Sequence, residues 1–174
     1  MKKAADLRNA IRNIPNFPKP GILFRDITTL LKGGEEFRLA VDSLVDQYKD
    51  KKIDKVVAIE ARGFILGGAI AHKLGAGFIP VRKRGKLPAK THSVTYNLEY
   101  GTDTLEMHED AIKPGDKVLI VDDLLATGGT VKAVTDLVSN LKGKIVGIAF
   151  LIELTDLKGK DKLKDYPVFS LIKY

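Results

Sequence analysis

The chain has 174 residues, of which 44% are hydrophobic and 29% charged, and a formal charge of +7. This is the composition of one globular domain, and no apolar run nears the roughly 20 residues of a membrane-spanning helix, so no membrane partner is expected. The lack of cysteine excludes disulfides and thiolate metal sites, and the charged start Met1-Lys2-Lys3 has no apolar leader, so a cytoplasmic protein is the expectation.

Taken in order, residues 2–12 suit a short helix, with Leu7 and Ile11 four apart. Pro15, Pro18, Pro20 and Gly21 then impose a rigid, irregular segment over residues 14–21. Leu23, Phe24 and Arg25 follow. A stiff loop presenting an aromatic ring suits the wall of a flat ligand, yet from this segment alone Phe24 reads as a core residue. Residues 35–50 form an amphipathic helix with Phe37, Val41, Leu44, Val45 and Tyr48 on one face. A buried strand at 55–59 runs into Glu60-Ala61-Arg62-Gly63 and an apolar helix over 64–74. The next strand, at about 78–82, carries Arg82-Lys83-Arg84-Gly85-Lys86 at its end.

Residues 93–100 and 104–108 differ from the rest. Val94, Tyr96 and Leu98 alternate with polar residues, and Gly101-Thr102-Asp103 turns the chain, as in an exposed hairpin or flap. Pro114-Gly115-Asp116 turns into Val118-Leu119-Ile120-Val121, an apolar run fit for a strand covered on both faces. A helical period resumes with Val131, Val134, Leu137, Val138 and Leu141. Residues 145–152 make another strand, and Phe169 to Ile172 a last edge strand. Lys158, Lys160, Lys162 and Lys164 alternate with other residues and read as a solvated face.

Between the apolar run and the helix lie Asp122, Asp123, Leu124, Leu125, Ala126, Thr127, Gly128, Gly129 and Thr130. A strand that hands over to a helix leaves backbone N–H groups free, and the helix dipole favours an anion. Glycines let the backbone approach a ligand, and the threonine hydroxyls add donors. This is a phosphate cradle, but without the residue order of a nucleoside-triphosphate loop or a dinucleotide fingerprint. Two carboxylates beside a phosphate would repel it unless they serve another group. A sugar diol or a bound Mg²⁺ fits, and phosphate with neighbouring hydroxyls describes a phosphoribosyl group.

Alternating strands and helices specify an α/β fold: a parallel twisted sheet with helices on both faces. Ligands of such sheets lie beyond the carboxyl ends of the strands. Glu60 to Arg62, Arg82 with Lys83, and the cradle all fall there. The positive charge therefore points to a small polyanion, since no nucleic-acid module fits beside this fold.

The apolar strand, two acids and Ala-Thr-Gly-Gly-Thr resemble the signature of the phosphoribosyltransferases. Phe17 to Ile27, Ala61-Arg62-Gly63-Phe64, Arg82 to Pro88, Leu98-Glu99-Tyr100-Gly101 and Glu153-Leu154-Thr155 resemble segments of the adenine-specific members, in the same order and over nearly the whole chain. The resemblance implies transfer of the phosphoribosyl group of 5-phosphoribosyl 1-pyrophosphate to adenine N9, giving AMP and pyrophosphate with Mg²⁺, in purine salvage. It implies one domain over residues 1–174, with residues 1–30 as a base-binding hood and about 84–110 as a flexible flap. It implies that Asp122, Asp123 and residues 126–130 hold the phosphoribosyl group, and that Glu60, Ala61, Arg62, Arg82, Lys83 and Lys86 bind pyrophosphate. Leu23, Phe24, Arg25 and Leu154 would bind adenine, which makes Phe24 a ligand wall. Glu99, Arg62 and Lys83 would serve the chemistry, and Tyr100 would help the flap to close. The loop at Glu60-Ala61 often holds an unusual non-proline peptide in these enzymes. Mg²⁺ would be held mainly by substrate, with Asp122 and Asp123 reached through water, and a homodimer is implied.

Overall fold

The computed structural model describes residues 4–97 and 101–174. Its largest sheet has seven strands: β3 (Lys55–Ile59), β4 (Gly77–Lys83), β5 (Thr91–Asn97), β6 (Thr102–His108), β7 (Lys117–Leu125), β8 (Lys144–Glu153) and β9 (Val168–Lys173), in the spatial order β5-β6-β4-β3-β7-β8-β9. The pairs β4–β3, β3–β7, β7–β8 and β8–β9 are parallel. β6 joins β4 antiparallel and β5 joins β6 antiparallel, so the hairpin continues the sheet at one edge. A separate antiparallel pair, β1 (Arg12–Pro15) with β2 (Leu23–Asp26), stands at the N-terminal side.

Successive side chains of a strand point to opposite faces, and a strand covered on both sides must therefore be apolar throughout. β7 obeys this. Leu119 and Val121 enter one core with Val56, Leu66, Ile70, Val41 and Leu44. Val118 and Ile120 enter the other with Val57, Val134, Leu137 and Val138. Three helices, α1 (Thr28–Leu31), α2 (Gly34–Asp46) and α3 (Arg62–Leu74), contribute to the first core, and α4 (Gly129–Asn140) contributes to the second. Burying each such side chain contributes about 1.5–3 kcal/mol relative to leaving it exposed.

The structure refines several expectations. The first helical segment is a 3-10 helix, Ala4–Ala10, and the helix at 35–50 is shorter, ending at Asp46. Ile14 and Pro15 belong to β1, although the prolines nearby suggested irregular chain only. Proline is tolerated there because this two-stranded ribbon is all edge. The hairpin is less exposed than its alternation implied: Leu105 and Met107 of β6 are fully buried in the second core. β7 extends four residues past Val121, so both aspartates sit on the strand itself.

Asp26 ties the N-terminal ribbon to the body. Its carboxylate accepts bonds from the Thr28 N–H at 2.9 Å, the Thr28 hydroxyl at 2.7 Å and Arg12 Nε at 3.0 Å. Hydrogen bonds from Thr28 and then Arg12 hold its pKa down to about 2. Leu23, Phe24 and Arg25 are therefore presented from an anchored strand. Arg25 also stacks on the Tyr174 ring, 3.8 Å from its centroid, with Arg8 4.3 Å away.

Candidate active site

The register brings the three expected groups together. β3 lies between β4 and β7, all parallel, so Glu60 to Arg62, Arg82 with Lys83, and the end of β7 meet at one edge. The Glu60–Ala61 peptide is cis. Arg62 opens α3 and its Nε stands 2.7 Å from Asp123 Oδ2. The guanidinium carbon is also 5.3 Å from the centroid of the Phe24 ring, whose other neighbour is Phe17, edge-on at 5.2 Å. Arg62 thus links the aspartate pair to the aromatic wall of the N-terminal ribbon.

Asp122 and Asp123 are unequal. Asp123 is buried beside the Arg62 cation. Asp122 Oδ1 accepts the Asp123 N–H at 2.9 Å and lies 2.7 Å from where a Cβ on Gly63 would stand. Surrounding protein, and then the neighbouring Asp123 charge, push the Asp122 carboxyl well above the usual carboxylate range. A cation or a hydrogen-bond donor from a ligand would restore its charge.

The cradle closes a cleft of about 90 Å³ lined by Asp122, Ala126, Thr127, Gly128, Gly129 and Thr130 among others. Gly128 has φ +79°, and a Cβ there would meet the Gly159 carbonyl oxygen at 2.4 Å. A Cβ on Gly159 would in turn meet the Ala126 carbonyl oxygen at 2.2 Å. Two glycines are therefore packed back to back beneath the loop. Thr130 donates its hydroxyl to Tyr96 OH at 3.3 Å, which ties β5 to the cradle.

The basic groups are held by carboxylates. Glu60 accepts Lys86 Nζ at 2.6 Å, Arg82 at 3.1 Å and the Lys83 N–H at 3.2 Å. Glu106 accepts the Gly85 N–H at 2.9 Å, and Lys83 Nζ pairs with Asp103 at 3.0 Å. Burial raises the Glu60 pKa, but the bonds from Lys86 and Arg82 outweigh it and bring it down to about 2. Since that value lies below the usual one, the pair stabilises the fold fully at neutral pH and loses the contribution as pH falls from about 4.5 towards 2. The expected result is that Glu60→Gln lowers the unfolding free energy by about 1 kcal/mol at pH 7 and that the gap closes towards pH 2. Urea titrations of both proteins across that range check it.

Leu154 follows β8, is half-buried against the first core, and donates its N–H to the Leu125 carbonyl at 2.9 Å. Glu99 and Tyr100 lie outside the described residues. The sequence marks Gly63 and Tyr96 only as parts of a family-like segment and of the hairpin, and it does not mark Gly159 at all. Gly159 sits inside the lysine run with no motif around it, and only its partner across the fold gives it meaning.

The geometry is that of a family. A model for the phosphoribosyl transferase domain matches residues 28–174. The adenine phosphoribosyltransferase of Halothermothrix orenii is 59% identical over 167 residues, covering 96% of this chain and 98% of that protein. The chain belongs to the adenine phosphoribosyltransferase family. The crystal structure of the Thermoanaerobacter pseudethanolicus member matches with a TM-score of 0.96 at 50% identity, over 99% of this chain and 100% of that one. The Saccharomyces cerevisiae member, complexed with an imino-altritol bisphosphate and adenine, matches with a TM-score of 0.91 at 42% identity, over 97% of each chain. The mixed sheet with helices on both faces is the fold shared with these enzymes.

Proposed function

We propose that this enzyme transfers the 5-phosphoribosyl group of 5-phosphoribosyl 1-pyrophosphate to N9 of adenine, releasing AMP and pyrophosphate in purine salvage. Full-length kinship with adenine phosphoribosyltransferases supports the reaction. The observation that carries the site assignment is the Arg62–Asp123 pair beside the cradle, between Phe24 and the basic loop.

In the reaction the bond from C1′ to pyrophosphate oxygen breaks, the bond from C1′ to N9 forms, and N9 loses its proton. Ala126, Thr127, Gly128, Gly129 and Thr130 seat the 5′-phosphate by backbone and hydroxyl donors. Asp122 and Asp123 accept the ribose hydroxyls and face the positive charge that develops near C1′. Arg62, Lys83, Arg82 and Lys86, with the Glu60–Ala61 backbone, stabilise the departing pyrophosphate. Phe24 and Leu154 flank adenine, and backbone groups at Leu23 and Arg25 read its edge. Glu99 handles the adenine proton, while Tyr100 and the flap exclude water. The adjacent carboxylates of Asp122 and Asp123 are hard oxygen donors suited to Mg²⁺ through water, with substrate phosphates as its other ligands. When bound, Mg²⁺ neutralises charge on the leaving group.

The reading extends to a cytoplasmic homodimer. Among the described residues, no helix is long and apolar enough to cross a membrane. Ile65 of α3 and Phe78 of β4 are exposed apolar side chains, which a second copy would cover. The Arg82 to Lys86 segment would then lie within reach of the neighbouring site.

Purified protein is expected to form AMP from adenine and the pyrophosphate donor, to depend on Mg²⁺, and to make little product from guanine or hypoxanthine. An absence of AMP would end the reading. Glu99→Ala is expected to lower kcat about a hundredfold with little change in KM for the phosphoribosyl donor, as loss of a proton-handling group does. An unchanged kcat removes Glu99 from the chemistry.

A further inference from the structure

A phosphate with close to two negative charges is to sit beside two carboxylates. Arg62 is engaged by Asp123. Backbone donors and a helix dipole supply only partial charges.

The segment that follows β8 answers this. Gly159–Leu163 forms a single 3-10 turn anchored at both ends: Gly159 is buried against the cradle backbone, and Leu163 is buried in the second core. The close approach of Gly159 to Gly128 and Ala126 fixes this turn against the phosphate loop to within the contact of two backbones. Of the lysines here, Lys160 pairs with Glu153 at 2.8 Å, and Lys164 reaches Asp161 at 4.0 Å. Lys162 has no ion pair or hydrogen bond among the described residues, and its Nζ lies 4.0 Å from where a Cβ on Gly129 would stand. Gly129 is the first residue of α4 and lines the cleft. A Cβ there would stand in ordinary contact with the Asn97 carbonyl oxygen at 3.8 Å, the Tyr96 ring at 3.9 Å and this ammonium at 4.0 Å, so the ammonium lies directly against the start of α4.

We propose that Lys162 is a further binding residue for the 5′-phosphate, with Gly159 serving to hold the turn that carries it. The proposal rests on the phosphoribosyl reading of the cradle. It gives the phosphate a full positive charge at the start of α4. It also accounts for two glycines back to back: any side chain at either would lift the lysine-bearing turn off the loop.

The test is calorimetric titration of ribose 5-phosphate and steady-state kinetics on the full chain, for wild type, Lys162→Met, Lys162→Arg and Lys164→Met. Lys162→Met is expected to weaken ribose 5-phosphate binding, and to raise KM for the phosphoribosyl donor, about tenfold, as loss of one charge-assisted hydrogen bond does. KM for adenine is expected to stay unchanged. Lys162→Arg is expected to retain most of the affinity, and Lys164→Met all of it. Wild-type affinity in Lys162→Met overturns the proposal while leaving the cradle reading in place. An equal loss in Lys164→Met overturns it as well, since the effect is then one of general charge. A wild-type chain that binds no ribose 5-phosphate overturns the cradle reading and the proposal together.

Discussion

Arg62→Ala is expected to lower kcat/KM about a thousandfold, the scale on which a preorganised charge at the reacting centre acts. Besides the cation proposed to face the leaving group, two contacts are lost: the Asp123 carboxylate loses its partner at 2.7 Å, and the cation over Phe24 disappears. Asp123 is 6% exposed, so its charge then sits uncompensated at the end of β7. Breaking a fully buried pair costs about 3–5 kcal/mol, but the Arg62 side chain is 38% exposed, so about 1–2 kcal/mol of stability is the expected loss. Arg62→Lys is expected to recover little activity, because a point charge cannot meet Asp123 through a side-on Nε while facing pyrophosphate. A double-mutant cycle with Asp123→Asn checks the linkage. The two losses in kcat/KM should be strongly non-additive. Additive losses would mean that the ion pair plays no part in transfer.

Gly128→Ala is expected to abolish phosphate seating, with kcat/KM down by about a thousandfold or more and a stability loss of about 2–3 kcal/mol. The residue has φ +79°, which costs an L side chain about 1–2 kcal/mol, and the new methyl would press on the Gly159 carbonyl at 2.4 Å. That neighbour is backbone, not a flexible side chain that could swing aside. The loop must move, and with it the N–H groups of Gly129 and Thr130. Gly129→Ala makes the comparison, since a Cβ there meets nothing within 3.8 Å. It should fold with near wild-type stability. Thermal unfolding of the two variants, with ribose 5-phosphate binding measured on each, separates packing from ligand contact. Equal stability of the two would refute the close-packing account.

The β3 and β7 strands could be read from sequence because burial on both faces forces a continuous apolar run, and that signal is local. The same holds for α2, whose apolar face repeats at helical spacing. The cradle was legible for a related reason: a strand, small residues and a helix in succession leave free N–H groups wherever they occur. Other features are relations between distant segments. Nothing near Gly159 reports that residue 128 lies against it, and nothing near Tyr96 reports the Thr130 hydroxyl. The sequence also suggested an exposed hairpin, because Val94 and Tyr96 alternate with polar residues. It did not reveal that β6 would be buried against β4, since edge and interior strands differ in what pairs with them rather than in pattern. Arg82 and Lys86 were expected with Glu60 at the pyrophosphate, and nothing in their local sequence reports that both pair with Glu60 itself.

That last contact bears on how the enzyme turns over. Glu60 is a tethered anion already seated on the cations that a pyrophosphate would seek. If these cations hold pyrophosphate as proposed, an incoming donor would have to displace Glu60, and the leaving pyrophosphate would meet the same tethered rival at high local concentration. With no ligand bound, Glu60 holds the basic loop in place.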